Sequence, residues 1–192
     1  MKLSSRGQHR LFFAIDIDDS TRQSLDAWSQ SINLNGRRVP SDNYHITLQF
    51  LGNISNHQVF DVIDTIEQPN FSPFHITFSN TGYYPKNEIL FLDVEEGKEQ
   101  ISSIAKYINR SLQNLNFIKR EKRNFHPHLT IAREAKPPVD FNCDAPIRML
   151  VKFISLMESI TIKSGVYYET VEQWPIFQLS EKDIMLGLKP DE

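Results

Sequence analysis

Cysteine is almost absent from this chain of 192 residues, which contains only Cys143. A single thiol cannot form an intramolecular disulfide, and it cannot supply a zinc site built from several cysteines. The sequence also lacks a His-x-x-x-His pattern and a glycine-rich phosphate loop. It therefore predicts neither a zinc centre nor a P-loop nucleotide site.

Long apolar segments and a strong net charge are also missing. The apolar residues 11–15 are soon followed by Asp16, Asp18 and Asp19, so we expect neither a signal peptide nor a membrane span. This pattern, with one cysteine, indicates a cytoplasmic protein. The net charge of −3 gives no general attraction to nucleic acid. A polyanion must then be recognised by a local patch, and a small or end-bound nucleotide fits better than a long duplex.

Strands and helices alternate along most of the chain. The hydrophobic pattern predicts strands at residues 11–15, 44–51, 74–78 and 89–94, and helices that begin near Asp18, Ser55 and residues 95–98. A loop at residues 134–146 should precede two longer strands, 149–162 and 166–179. We expect these two strands to form an antiparallel hairpin that turns near residues 164–165.

The order strand, helix and histidine-bearing strand occurs twice, within residues 10–70 and 88–135. This order predicts a weak internal duplication. Duplicated halves usually pack about a pseudo-twofold axis, which would bring the two histidine strands together. We therefore expect residues 1–192 to form a single bilobal domain.

A His-x-Thr motif lies on each of these two strands. It places His45 with Thr47 and His128 with Thr130. Alternate side chains of a strand share a face, so each histidine and its threonine point the same way. Two such strands side by side present two imidazoles and two hydroxyls to one groove, and Arg133 follows as a possible anion clamp. This set of groups suits acid–base chemistry on a phosphate.

The sequence gives weaker support for a functional role of several other polar and aromatic residues. A third copy of the motif begins at His75, which we expect to be structural because it has no equivalent place in the repeat. His126 should be structural or lie at the rim of the site. The basic run 119–123 could steer a polyanion or form a solvated loop. Tyr83 and Tyr84 could stack on a nucleobase or pack in the protein.

On these residues the chain resembles the two-histidine (2H) phosphoesterase superfamily. Within it, the chain is similar to the bacterial RNA 2′,3′-cyclic phosphodiesterases once called 2′-5′ RNA ligases. The resemblance rests on residues 10–16, 43–48, 50–52 and 125–133, and on a closing hairpin that includes Tyr168 and Trp174. At Gln49, many relatives have a basic residue instead. The resemblance implies an α+β, bilobal LigT-like fold, in which two antiparallel sheets line a central cleft and the helices lie outside.

The resemblance also implies an activity, which is hydrolysis of 2′,3′-cyclic phosphate ends of RNA or nucleotides to 2′-phosphomonoesters. It implies no metal or organic cofactor. His45 would be the general acid and His128 the general base, while Thr47, Thr130 and Arg133 would hold the phosphate. We expect a monomer whose partners are RNA 3′ ends or nucleotides, without a membrane.

Two alternatives stay open at this point. A phosphodiesterase or ligase acting on 2′-5′ linkages would use the same four strand residues. A non-catalytic module that binds RNA ends would use Arg133 and the threonines but would leave the paired histidines without a purpose. Turnover of a nucleoside 2′,3′-cyclic phosphate separates these functions.

Overall fold

The computed structural model describes residues 7–119, 124–163, 165–177 and 179–187. Nine strands and four helices are formed in these ranges. The strands are β1 (Gln8–Asp16), β2 (Asn35–Arg38), β3 (His45–Ser55), β4 (Phe74–Tyr84), β5 (Ile89–Val94), β6 (His128–Lys136), β7 (Asn142–Val151), β8 (Phe153–Ile162) and β9 (Gly165–Pro175). The helices are α1 (Asp19–Ser31), α2 (Asn56–Thr65), α3 (Lys98–Ser111) and α4 (Glu181–Met185). None of these helices has the length and apolar character needed to cross a membrane.

The strands form one connected sheet with the order β7-β4-β5-β6-β3-β1-β8-β9, and β2 pairs with β6. At its centre, β3 and β6 are joined by a single residue pair, in which Ile46 lies opposite Leu129. The two sheets predicted from the sequence are thus two halves of one sheet that meet at one point. The strands β8-β1-β3 form one half with β9, and β4-β5-β6 form the other with β7.

The main core lies on the face of the sheet that carries Ile46 and Leu129, whose side chains are fully buried. The same cluster contains apolar residues of the three longer helices: Leu25 of α1, Val59 and Val62 of α2, and Ile101, Ile104 and Ile108 of α3. Burial of each Leu or Ile side chain contributes roughly 1.5–3 kcal/mol. Since β3 and β6 alternate, their histidines and threonines point to the opposite face.

The helix starts follow the capping residues in the sequence. Asp18 precedes α1, and its Oδ1 accepts a hydrogen bond from the backbone N–H of Thr21 at 2.9 Å. Ser55 precedes α2, and its backbone N–H donates to Oε1 of Gln58 at 3.1 Å. The side chains of Asp18 and Gln58 thus accept from backbone N–H groups that the start of a helix leaves without partners. The predicted starts of both helices are confirmed.

The prediction of one strand over residues 149–162 is wrong. The chain leaves β7 at Val151 and enters β8 at Phe153. Strand β7 pairs with β4 in one half of the sheet, whereas β8 pairs with β1 in the other. At Lys152 the chain crosses from one half of the sheet to the other. The apolar pattern of residues 149–162 gives no sign of this change of pairing partner.

The loop predicted at residues 134–146 is shorter than expected, because β6 continues to Lys136 and β7 begins at Asn142. Strand β2 was not predicted, since its residues are polar. It forms by pairing with β6, where Arg37 lies opposite Arg133. The hairpin of β8 and β9 is confirmed. Residues 120–123 of the basic run and residue 164 of the hairpin turn lie outside the described residues.

Candidate active site

The register between β3 and β6 brings the two His-x-Thr motifs together. These strands are antiparallel and Ile46 pairs with Leu129. By that register, His45 lies across from Thr130, and Thr47 lies across from His128. Each histidine therefore faces the threonine of the other strand, and the two histidines stand diagonally across the junction. All four side chains are half-buried on the face away from the main core.

Hydrogen bonds orient the ring of His45. Its Nδ1 lies 2.8 Å from the carbonyl oxygen of Asn43, and its Nε2 lies 3.0 Å from the hydroxyl of Thr47. A carbonyl oxygen can only accept, so Nδ1 carries the hydrogen and Nε2 accepts from Thr47 when the ring is neutral. The rings of Phe12 and Tyr168 pack against the imidazole, each at a centroid distance of 4.9 Å.

The ring of His128 is held in the same way. Its Nδ1 donates to the carbonyl oxygen of His126 at 2.7 Å, which also lies two residues upstream. The Nε2 atom is again left with its lone pair. Aromatic rings pack against this histidine too, with Phe91 at 5.0 Å and Tyr84 at 5.3 Å between centroids. Each half of the site therefore offers one imidazole Nε2 inside an aromatic wall.

The surroundings favour the neutral form of both histidines. Burial is the largest cause that lowers the pKa of His45, to about 4, and the charges of Arg133, His128 and Arg22 lower it further. Burial also lowers the pKa of His128. Burial acts in this direction because it disfavours the charged form of a ring. Both Nε2 atoms can therefore accept a proton at neutral pH in the unliganded protein.

A bulge in β6 returns Arg133 to the face of His128 and Thr130. Simple alternation places residues 128 and 133 on opposite faces. The pairing with β5, however, skips one residue between Thr130 and Ala132. Ile131 and Ala132 are consequently both buried, and Arg133 is exposed on the other face. The predicted anion clamp depends on this extra residue.

The matching position in the first half is occupied by Phe50. Strand β3 also has a bulge, because its pairing with β1 skips one residue between Thr47 and Gln49. Phe50 follows His45 at the same interval as Arg133 follows His128. Its side chain is 59% exposed, and its ring lies 5.9 Å from that of Phe12. The two half-sites thus differ, one bearing a cation and the other an exposed aromatic ring.

Two carboxylates that sequence reasoning missed lie across from the histidines. Asp16 of β1 is opposite His45, and Asp93 of β5 is opposite His128. Asp16 forms an ion pair with Arg22 at 3.1 Å. The internal repeat could have revealed them. In each half, one aspartate directly follows the apolar run of the first strand.

Three other residues that the sequence analysis singled out are not among the groups at the β3–β6 junction. His75 is on β4, opposite Leu150 of β7 and away from the junction. Gln49 is buried, and its side-chain amide donates to the carbonyl oxygen of Phe50. Tyr83 packs in the protein, with its hydroxyl bonded to the Ala135 carbonyl. Within the described ranges, no three histidine, cysteine or acidic side chains are grouped as a metal site would require.

The family model of the 2′-5′ RNA ligase superfamily matches residues 17–157, which include both motifs. The chain belongs to this superfamily. It is similar to a protein of Archaeoglobus fulgidus named RNA 2′,3′-cyclic phosphodiesterase, with 28% identity over 83% of this chain and 96% of that protein. A protein of the same name from Escherichia coli is 27% identical over 88% of this chain and 97% of its own length.

Solved structures share the fold. Escherichia coli LigT in complex with 3′-AMP superimposes with a TM-score of 0.79 and 25% identity, over 89% of this chain and 99% of that one. The structure of TT0787 of Thermus thermophilus gives a TM-score of 0.75 over 87% of this chain and 97% of that one, at 23% identity. The superfamily and the LigT-like fold predicted from the sequence are confirmed.

The lowered pKa of His45 predicts a pH-dependent loss of stability. An unfolded histidine titrates near 6.5, whereas native His45 titrates at about 4. The favourable contribution of the neutral ring is therefore complete above pH 6.5 and is lost as the pH falls toward 4. Urea unfolding at a series of pH values measures this loss. We expect the free energy of unfolding of the wild type to fall by ~2–3 kcal/mol more than that of His45→Gln over this range.

His57 provides the control, because it is exposed on α2. The variant His57→Gln should follow the wild-type pH dependence. If the free energy of unfolding depended on pH in the same way for the wild type and His45→Gln, burial would not be keeping the His45 ring neutral.

Proposed function

We propose that this protein is an RNA 2′,3′-cyclic phosphodiesterase that opens terminal cyclic phosphates to 2′-phosphomonoesters without a metal ion. The observation that carries this proposal is the diagonal placement of two histidines across the β3–β6 junction, each held at Nδ1 by a backbone carbonyl and able to accept a proton at Nε2. The names of the relatives agree with it. We further propose that the protein acts as a monomer in the cytoplasm on RNA 3′ ends or nucleotides.

In-line displacement needs an acid and a base on opposite sides of phosphorus, and the family resemblance implies which histidine takes each role. His128 takes a proton from water as the water oxygen attacks phosphorus. The bond from phosphorus to the ribose 3′ oxygen then breaks, and His45 gives its proton to that oxygen. Each of these proton transfers accelerates the reaction about 10²–10⁴-fold. The diagonal arrangement of the two rings supports a mechanism in which an acid and a base act from opposite sides of one phosphate.

Thr47, Thr130 and Arg133 are proposed to bind the nonbridging phosphate oxygens. The two hydroxyls lie across the junction from the histidines, and the Arg133 charge acts on both imidazoles. Hydrogen-bond donors already aimed at the phosphate stabilise charge in the transition state. The exposed ring of Phe50 offers an apolar surface on which a base can stack.

The acid must acquire its proton when substrate binds. Free His45 has a pKa of about 4, so most of it is neutral at neutral pH. A phosphate anion placed against the ring favours the charged form and raises this pKa. Substrate binding itself thus prepares His45 as the acid. The hydroxyl of Thr47 can then rotate away from Nε2 and donate to a nonbridging phosphate oxygen, which leaves the Nε2 proton for the 3′ oxygen.

The alternatives make different demands on the same residues. A 2′-5′ phosphodiesterase or ligase would use the same histidines on another linkage, so the substrate that is turned over separates it from the present proposal. A non-catalytic RNA-end module has no use for two oriented bases.

The test is hydrolysis of a nucleoside 2′,3′-cyclic phosphate by single variants. His45→Ala and His128→Ala should each reduce kcat/KM by at least about 10²-fold, because each removes a proton-transfer group. His75→Ala is the matched control from the third His-x-Thr motif, and it should keep most of the activity. An essential His75 together with a dispensable His45 would show that the site has been assigned to the wrong strands.

Arg133 has its own control in Arg37, which lies opposite it on β2 and bonds to Glu134 at 3.0 Å. Arg133→Ala should reduce kcat/KM about 30-fold, because loss of a charge-assisted phosphate contact costs about 2 kcal/mol. Arg37→Ala should change kcat/KM by less than about threefold, since exposed ion pairs contribute little. Equal losses in the two variants would indicate a general effect of positive charge instead of a phosphate contact.

A further inference from the structure

A hydrogen-bonded group that the proposed mechanism does not use lies beside His128. Nε2 of His126 is 3.0 Å from Oδ1 of Asp93, and its Nδ1 is 2.7 Å from the hydroxyl of Tyr84. The three residues come from different elements, namely the segment before β6, strand β5 and strand β4. Both ring nitrogens of His126 are therefore bound.

These partners suit the His126 ring with or without a positive charge. The carboxylate of Asp93 only accepts, so Nε2 carries a hydrogen in both states. The hydroxyl of Tyr84 donates to Nδ1 when the ring is neutral and accepts from Nδ1–H when it is charged. Burial, and then the charge of Asp93, raises the pKa of Tyr84, so this hydroxyl keeps its proton. His126 can change its charge without losing a hydrogen bond.

The same group contacts His128 directly. The rings of His126 and His128 are stacked, with a centroid distance of 5.8 Å and an interplanar angle of 21°. The carbonyl oxygen of His126 also fixes Nδ1 of His128, and Asp93 lies across from His128 in the ladder. A charge on His126 thus acts on His128 through less than 6 Å.

Other charged and titratable groups face this pair. Besides burial, the charge of Arg133 lowers the pKa of His128, and both Arg133 and His128 lower the pKa of His45. Lys98 of α3 lies 3.4 Å from Asp93, and it shares the carboxylate with His126. After burial, the bond to the His126 carbonyl raises the pKa of His128, the His126 ring lowers it, and Asp93 raises it.

The first half of the site is built differently at the same places. Asn43 stands two residues before His45, where the second half has His126. Asp16 stands across from His45, and it is paired with the permanently charged Arg22. His128 therefore has a titratable ring beside it. In the first half, Asn43 stands at the position of that ring, and Arg22 takes its place as the partner of the aspartate.

We propose that Asp93, His126 and Tyr84 are positioning residues that hold the His126 ring against His128, so that positive charge on His126 keeps His128 free of a proton. This inference rests on the proposed function, because a proton-free His128 is useful only if His128 is the general base. It assigns His126 a part in setting the pH range of the reaction.

The test is titration of His128 by NMR in the full-length protein, with the ring signals assigned by their loss in His128→Asn. His126→Gln removes the stacked charge and leaves Asp93, so the pKa of His128 should rise by about half a unit or more, as expected for unit charges at this distance even in water. Asp93→Asn removes the negative charge and leaves the His126 ring, so the pKa of His128 should fall. His75→Gln is the control and should leave the titration unchanged.

Opposite shifts in the two variants support the proposal, since a purely structural role has no reason to give opposite signs. An unchanged titration in His126→Gln, or shifts of the same sign, would overturn it. If one variant does not fold, the sign of the shift in the other decides. The NMR titration needs no turnover, so it tests this inference even if the protein does not hydrolyse cyclic phosphates. Where it does, the acidic limb of kcat/KM should move with the pKa of His128.

Discussion

The contact between Ile46 and Leu129 is the constraint on which the site depends. This one pair joins the two halves of the sheet, and both side chains are fully buried in the main core. Because the side chains of a strand alternate, fixing these two residues toward the core fixes the histidines and threonines toward the cleft. A slip of one residue in either strand would reverse its faces and bury a histidine in apolar surroundings. Core packing therefore sets the geometry of the proposed catalytic groups.

The electrostatics of the site follow from what covers those groups. Aromatic rings exclude water from both imidazoles and lower their pKa values, while backbone carbonyls hold Nδ1 and leave Nε2 toward the cleft. A cleft of neutral histidines beside Arg133 suits an anionic phosphate that supplies the missing negative charge. The halves share this design but differ in detail, with Arg133 at one end and Phe50 at the other. We propose that this difference sets the direction in which the substrate binds.

Local sequence patterns predicted the parts of this arrangement that depend on neighbouring residues. Alternation placed His45 with Thr47 and His128 with Thr130, and capping residues marked the helix starts. Long-range pairing determined the rest. The bulge that turns Arg133 toward the cleft arises between β5 and β6, and simple alternation gives the wrong face. The strand predicted over residues 149–162 is split at Lys152 because its two parts pair with different strands. The register between β5 and β6 places Asp93 opposite His128. None of these features leaves a periodic signal in the chain.

In the proposed mechanism, the two histidines act from opposite sides on one phosphate, with His45 as the acid on the 3′ oxygen. Phosphorus NMR of the products from a nucleoside 2′,3′-cyclic phosphate, treated with wild-type protein, tests this claim most directly. We expect the 2′-phosphomonoester as the single product, because a substrate bound in one direction can lose one oxygen only. A 3′-phosphomonoester, or a mixture of both, would contradict the assigned roles of His45 and His128.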